Sequence, residues 1–318
     1  MKPDLIIIAG PTAVGKSALS IRLAHAINGE IISADSMQVY RGMNIGSAKI
    51  TTAEMDGIPH YLIDELEPED EFNVVDFQKR ARECIKEIQA KGKIPIIVGG
   101  TGFYIQSVLY DIDFESTEQE TGYRAELSAI GLEKGPAFLH AMLREVDPVA
   151  ADQIHENNMK RVIRALEYYH LTGTPISAHN LQEREKPPAY YACYFVLKND
   201  REALYRRINE RIDQMLKEGL IEEVQALKFR GCTKDMVSMQ GLGYKEILSY
   251  LNGECTLEEA IYILKRDTRH FAKRQLTWFR RERDVIWMDR SQYTDEEHLL
   301  QDMLQIIKEH KTTETKGN

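Results

Sequence analysis

From Gly10 to Ser17 the chain reads Gly10-Pro11-Thr12-Ala13-Val14-Gly15-Lys16-Ser17, two glycines framing a short run and followed at once by a lysine and a hydroxyl. This spacing suits a phosphate. Glycines let the backbone curl so that several N–H groups point inward, and a helix N-terminus behind them adds a positive end. Lys16 would bridge phosphate oxygens and Ser17 would help to hold Mg2+. The pattern specifies phosphates and not a nucleotide: ATP and a diphosphate ester satisfy it equally. A second stretch, Asp35-Ser36-Met37-Gln38-Val39-Tyr40, opens on a carboxylate. It can take a proton from an attacking group or, read alone, cap a turn. A third, Gly99-Gly100-Thr101-Gly102, combines glycines that permit close backbone approach with the Thr101 hydroxyl; alone it is equally a tight strand-to-helix turn.

Basic residues gather in three places. Lys160, Arg161 and Arg164 share one predicted helix, and Arg201, Arg206, Arg207 and Arg211 open another. Between Lys265 and Arg283 the cations, Lys273 and Arg274 among them, alternate with His270, Phe271, Trp278 and Phe279. Cations can neutralise RNA phosphates and aromatics can stack on unpaired bases. Spacing alone also allows solvated helix faces over an apolar Phe/Trp stripe.

These residues need elements to hold them. Leu5–Ala9 is an apolar run ending in the glycine loop, as a buried parallel strand is. A helix from Lys16 follows, with Leu19, Leu23 and Ile27 on one side, ended by Asn28-Gly29. Glu30–Ala34 is a second strand, with Asp35 at its end. A long loop runs to about Asp64. Asn73 and Asp76 can cap the next helix, whose buried stripe is Ala81, Cys84, Ile85 and Ile88. Ile94–Val98 is a third strand. Strands and helices alternating through short glycine turns specify a parallel α/β sheet of P-loop type. In such sheets ligands lie beyond the C-terminal strand ends, where all three stretches fall. Residues 115–187 change character, to short polar helices without a strand, and are expected to form a helical insertion. The α/β core is expected at 1–114 and 188–310, with strands at 190–197 and 285–288, a helix over 201–229 and another capped by Thr256 and Glu259. Residues 311–318 are expected to be a frayed tail.

The 318 residues, 43% hydrophobic and 29% charged, fit an ordinary globular protein. A net charge of −9 argues against coating nucleic acid over the whole surface and leaves room for a local basic face. The four cysteines lack metal or disulfide spacing. No apolar run is long enough for a bilayer and no N-terminal segment has signal-peptide order, so a cytoplasmic protein is expected; it is also expected to be a monomer.

Taken in order, Gly10–Ser17, Asp35–Tyr40 with Ile45-Gly-Ser-Ala-Lys49, Gly99–Tyr104, Arg161–Glu167, Gln240-Gly-Leu-Gly-Tyr-Lys-Glu246 and Lys273-Arg-Gln-Leu-Thr-Trp278 closely resemble the tRNA dimethylallyltransferases, also called tRNA isopentenyltransferases. The likeness extends from about Pro3 to about Asp289. The P-loop is shared with many proteins; the Asp35 and Lys273 runs are far more specific. The sequence has no Cys/His tail of the kind many eukaryotic members carry, so the bacterial type is expected. The resemblance implies that the P-loop holds the diphosphate of dimethylallyl diphosphate, with Mg2+, and that the group passes to N6 of the adenosine just 3′ of the anticodon. It implies Asp35 as base and Thr101 at the reacting centre, with Arg207 on the diphosphate. Asp35, Ser36, Met37, Gln38, Arg124, Met159, Lys160, Arg161, Val162 and Ile163 match tRNA-contacting positions, and the basic helix with Lys273 and Arg274 would grip the anticodon stem-loop. A small-molecule kinase, a prenyltransferase acting on free adenine nucleotides and a non-catalytic RNA-binding module are the rival readings.

Overall fold

The computed structural model describes residues 4–114 and 122–310. Six strands, β1 (Leu5–Ala9), β2 (Gly29–Ala34), β3 (His60–Tyr61), β4 (Ile94–Gly99), β5 (Ala192–Lys198) and β6 (Val285–Asp289), form one parallel sheet in the order β3-β2-β4-β1-β5-β6. Every residue of β1 is fully buried, which is why it carries no polar alternation. Five strands stand close to their expected limits. The sixth, β3, lies within the stretch expected as a long loop, because two residues show no periodicity.

The chain divides into two compact units, Met1–Val108 with Tyr190–Asn318, and Leu109–Ala189. In the first, α1 (Lys16–Ile27) buries Leu19 and Leu23 and ends at Asn28, whose φ of 59° is left-handed. Helix α2 (Val74–Ala90) begins with the expected reciprocal cap: Asn73 Oδ1 accepts from Val75 N at 2.8 Å, and Asp76 Oδ2 accepts from Asn73 N at 3.2 Å. Helix α3 (Gly102–Leu109) follows the glycine loop.

The second unit is built from α4 (Tyr123–Lys134), α5 (Pro136–Val146), α6 (Pro148–Gln153), α7 (Met159–Thr172) and α8 (Ile176–Glu185). Its core joins Leu127, Leu139, Leu143, Val162 and Leu166. Asp147, 1% exposed, stitches the unit: its carboxylate caps Ala150 N at 2.9 Å and accepts from Ser177 N at 2.9 Å and Ser177 Oγ at 2.7 Å. The expected start of the insertion at 115 and the expected frayed tail at 311–318 fall outside the described residues.

Back in the first unit, the helix expected over 201–229 is two helices, α9 (Arg201–Glu218) and α10 (Leu220–Phe229), broken at Gly219 with φ 104°. Helix α11 (Tyr244–Leu251) precedes α12 (Leu257–Phe279), which starts with the expected Thr256–Glu259 cap, and α13 (Glu296–His310) follows the last strand.

Candidate active site at the C-terminal edge of the sheet

Ala9 pairs with Gly99 and Val196, and Ala34 also pairs with Gly99, so the strand ends stand level. The P-loop after β1, Asp35 after β2 and the glycine loop after β4 therefore emerge side by side. The Lys16 ammonium rests on its own loop, donating to Gly10 O at 3.0 Å and Pro11 O at 2.9 Å. Withdrawal from water pushes its pKa down to about 8; nearby Asp35 opposes that fall and Arg211 adds to it. Asp35 Oδ1 accepts from Met37 N at 2.9 Å, which fixes the carboxylate in a turn at the strand end. Thr101 is the first residue ahead of α3; its carbonyl accepts from Tyr104 N at 3.0 Å.

Two adjoining cavities share Thr12, Asp35, Arg211 and Gln275. Lys16 and Ser17 line one of them; Ala13, Ser36, Met37, Thr101 and Arg274 line the other. One crevice thus joins a phosphate loop, a carboxylate, a hydroxyl and two arginines. Val14, fully buried, serves the P-loop by packing, and Pro11 has only a carbonyl to offer; neither side chain reaches the crevice. Arg206 points outward toward Glu210, 3.9 Å away. Of this adjacent pair Arg207 is the one near the P-loop: a Cβ placed on Gly15 would lie 3.6 Å from its Nη2, while Arg211, one turn on, lines both cavities.

Helix α12 clamps the site. Gln275, 6% exposed, accepts from Thr12 N at 2.9 Å and donates to Gly100 O at 3.0 Å, joining the P-loop to the glycine loop. A Cβ on Gly100 would stand 2.1 Å from Gln275 Nε2, and one on Gly102 would stand 2.2 Å from Trp278 Cδ1. The close approach that these glycines permit is made by side chains of α12. The loop after Asp35 is held from the other direction. Glu223 accepts from the backbone N of Asn44, Ile45 and Gly46 at 2.8–3.1 Å and from Tyr244 Oη at 2.7 Å. Gln38 Oε1 accepts from Ser33 Oγ at 3.0 Å, so its side chain is engaged within the loop while still lining the first cavity.

Elsewhere the structure places the other expected residues. Val162 and Ile163, expected among the RNA contacts, are 0% and 7% exposed and belong to the helical core, so their side chains cannot reach a nucleic acid. Met159 packs against the same core. Lys160 and Arg161 are exposed. Arg124 Nη2 pairs with buried Glu167 at 2.6 Å, and Arg164 reaches the same oxygen at 3.1 Å. Lys273 lines neither cavity of the crevice; it lines a groove with Arg201, Arg280 and Trp287 and another with Arg274. Sequence reading missed Gln275 and Phe271 as crevice residues, although Gln275 stands inside the specific Lys273–Trp278 run. Arg211, one of the four arginines opening α9, is the one that lines both cavities.

A parallel sheet presenting a P-loop and an acid in one crevice defines a P-loop enzyme acting on a phosphate ester. The family model for IPP transferase matches residues 38–282, and the chain belongs to this family. It is 60% identical over 309 residues, covering 97% of this chain and 98% of the relative, to the tRNA dimethylallyltransferase of Lachnoclostridium phytofermentans. The full-length tRNA isopentenylpyrophosphate transferase of Bacillus halodurans superposes with a TM-score of 0.74 at 45% identity, covering 98% of this chain and 99% of that one. A eukaryotic dimethylallyltransferase acting on tRNA superposes with a TM-score of 0.77 at 33% identity, over 90% of this chain and 73% of that one. The bacterial resemblance and the P-loop-type parallel sheet expected from sequence hold.

Proposed function

We propose that this chain transfers a dimethylallyl group from dimethylallyl diphosphate to the exocyclic N6 of the adenosine 3′-adjacent to the anticodon in tRNA, releasing pyrophosphate. The observation that carries the reading is the single crevice lined by Lys16, Ser17, Asp35 and Arg211. In the proposed reaction, N6 bonds to the first carbon of the prenyl group as the carbon–oxygen bond to the diphosphate breaks. The amine lone pair is delocalised into the ring, so Asp35 takes the N6 proton as the new bond forms and the nitrogen becomes acidic. The electron pair leaves on the diphosphate, whose growing charge Lys16, the P-loop amides, Arg207 and Arg211 stabilise. Thr101, which lines the second cavity with Arg274, is proposed to touch the reacting centre.

Among the described residues no three His, Cys, Asp or Glu side chains cluster to hold a metal. A diphosphate-bound Mg2+ needs no such cage, since phosphate oxygens, water and one or two protein oxygens suffice. Ser17, a hard oxygen donor on the same cavity, fits that demand. When bound, the ion would neutralise part of the diphosphate charge. Exposed Lys160, Arg161, Lys273 and Arg274 are the cations proposed to meet the anticodon stem-loop, and the chain is proposed to act as a cytoplasmic monomer. No described helix is long and apolar enough to cross a membrane.

The test is transfer from radiolabelled dimethylallyl diphosphate, with Mg2+, to an anticodon stem-loop RNA bearing adenines 3′ of the anticodon, beside free AMP. Label in the RNA alone is expected. Label in AMP alone would move the acceptor to free nucleotides. No transfer to either, with ATP turnover on a small substrate, would replace the reading with a kinase.

A further inference from the structure

We propose that Arg290 is a second arginine of the diphosphate site, donating to the diphosphate beside Arg207; this rests on the reading of the P-loop given above. Arg290 opens a short 3-10 turn directly after β6. Its guanidinium crosses to the P-loop, where a Cβ on Gly15 would lie 2.6 Å from Nη1 and 3.1 Å from Cζ. Arg207 reaches the same glycine. Two guanidiniums thus converge at the start of α1, on the backbone that the motif devotes to phosphate.

Their partners do not use all that they offer. Arg290 Nη2 is held by Glu296, yet Nη1 is buried without a hydrogen-bond partner. Asp289 is committed elsewhere, to Lys198 at 2.9 Å and Ser291 Oγ at 2.7 Å. Arg207 forms no ion pair among the described residues. A buried N–H without an acceptor is costly, and two like charges repel unless an anion lies between them. A diphosphate answers both needs, and a guanidinium fork fits its oxygens. If Arg290 served only to fasten α13 to the sheet, its inner nitrogen would have no reason to face Gly15. The Arg22–Glu297 pair already fastens α13 to α1.

The experiment is calorimetric titration of the full chain with inorganic pyrophosphate and Mg2+, beside steady-state kinetics with dimethylallyl diphosphate. Arg290→Ala is expected to weaken pyrophosphate roughly ten- to a hundredfold, the range for a lost hydrogen bond to a charged group. KM for the donor should rise in step, with tRNA affinity unchanged. Arg290→Lys keeps charge without the fork and should recover part of the loss. Glu296→Gln should bind at least as well as the wild type. An Arg290→Ala protein that melts earlier but binds pyrophosphate normally would make the residue a brace and overturn the proposal. Should Arg290→Ala not fold, Arg290→Gln and Arg290→Lys decide, and wild-type affinity in both would overturn it. If the wild type itself binds no pyrophosphate, the diphosphate reading of the P-loop fails, and this proposal with it.

Discussion

Arginine and lysine lie on both units of the molecule, and their neighbours give them different work. In the helical unit, buried Glu167 holds Arg124 and Arg164 together, and both arginines lower its pKa against the opposing effect of burial. In the α/β unit, Lys16, Arg207 and Arg211 gather around the P-loop with few carboxylates to answer them, and Arg290 there keeps one buried donor unanswered beside its pair with Glu296. Burial pushes the pKa of both Lys16 and Arg211 down. A cation matched by a carboxylate is spent on structure, whereas one kept from water and unmatched is held ready for a ligand.

The widest separation between the units should come from Asp35→Ala. Transfer in a single turnover should fall roughly a hundred- to ten-thousandfold, the usual worth of a general base, with tRNA binding retained. A near-normal rate would remove Asp35 as base. Glu167→Gln tests the other side. It leaves two arginines without their shared carboxylate and should cost about 1–3 kcal/mol of stability, read by denaturant unfolding, while pyrophosphate affinity stays constant. Because the folded-state pKa of Glu167 is lowered, its contribution is present above the ordinary carboxylate range and lost as pH falls through the lowered value. A variant whose pyrophosphate affinity dropped would break the division drawn here.

Acidity sharpens the contrast next. Lys16, pushed down to about 8 in the free protein, is charged below that pH and neutral above it. An anion binds the charged form, so pyrophosphate affinity should hold below about 8 and fall as pH rises beyond it, by at most about tenfold per unit. Titration at several pH values checks this, and a flat profile would contradict a withdrawn ammonium. The smallest effect belongs to Lys160→Ala or Arg161→Ala. Each should lessen the salt slope of RNA affinity by about 0.7–0.9 and leave donor KM alone.

Much of this was legible in the sequence because the signals were local. The Gly10–Ser17 spacing, the uninterrupted apolar β1 and the caps at Asn73 and Thr256 each state their structure within a few residues. What escaped depends on partners far along the chain. Val162 and Ile163 look like neighbours of Lys160 and Arg161, but a helix turns them inward by about 100° per residue. Nothing around Arg290 announces that its side chain crosses to Gly15. The choice between Arg206 and Arg207 rests on the direction of α9, which the fold supplies. Gln275 stood within a recognised run, but its two acceptor and donor partners are loops from other parts of the sheet.

Gln275 and Gly100 lie 175 positions apart and meet in one hydrogen bond. Any side chain at Gly100 would occupy the space of the Gln275 amide, and Gly102 stands in the same relation to Trp278. The glycine loop and helix α12 are therefore matched halves of one fit. The cost of a paired change across this contact is therefore not the sum of the costs of its two single changes.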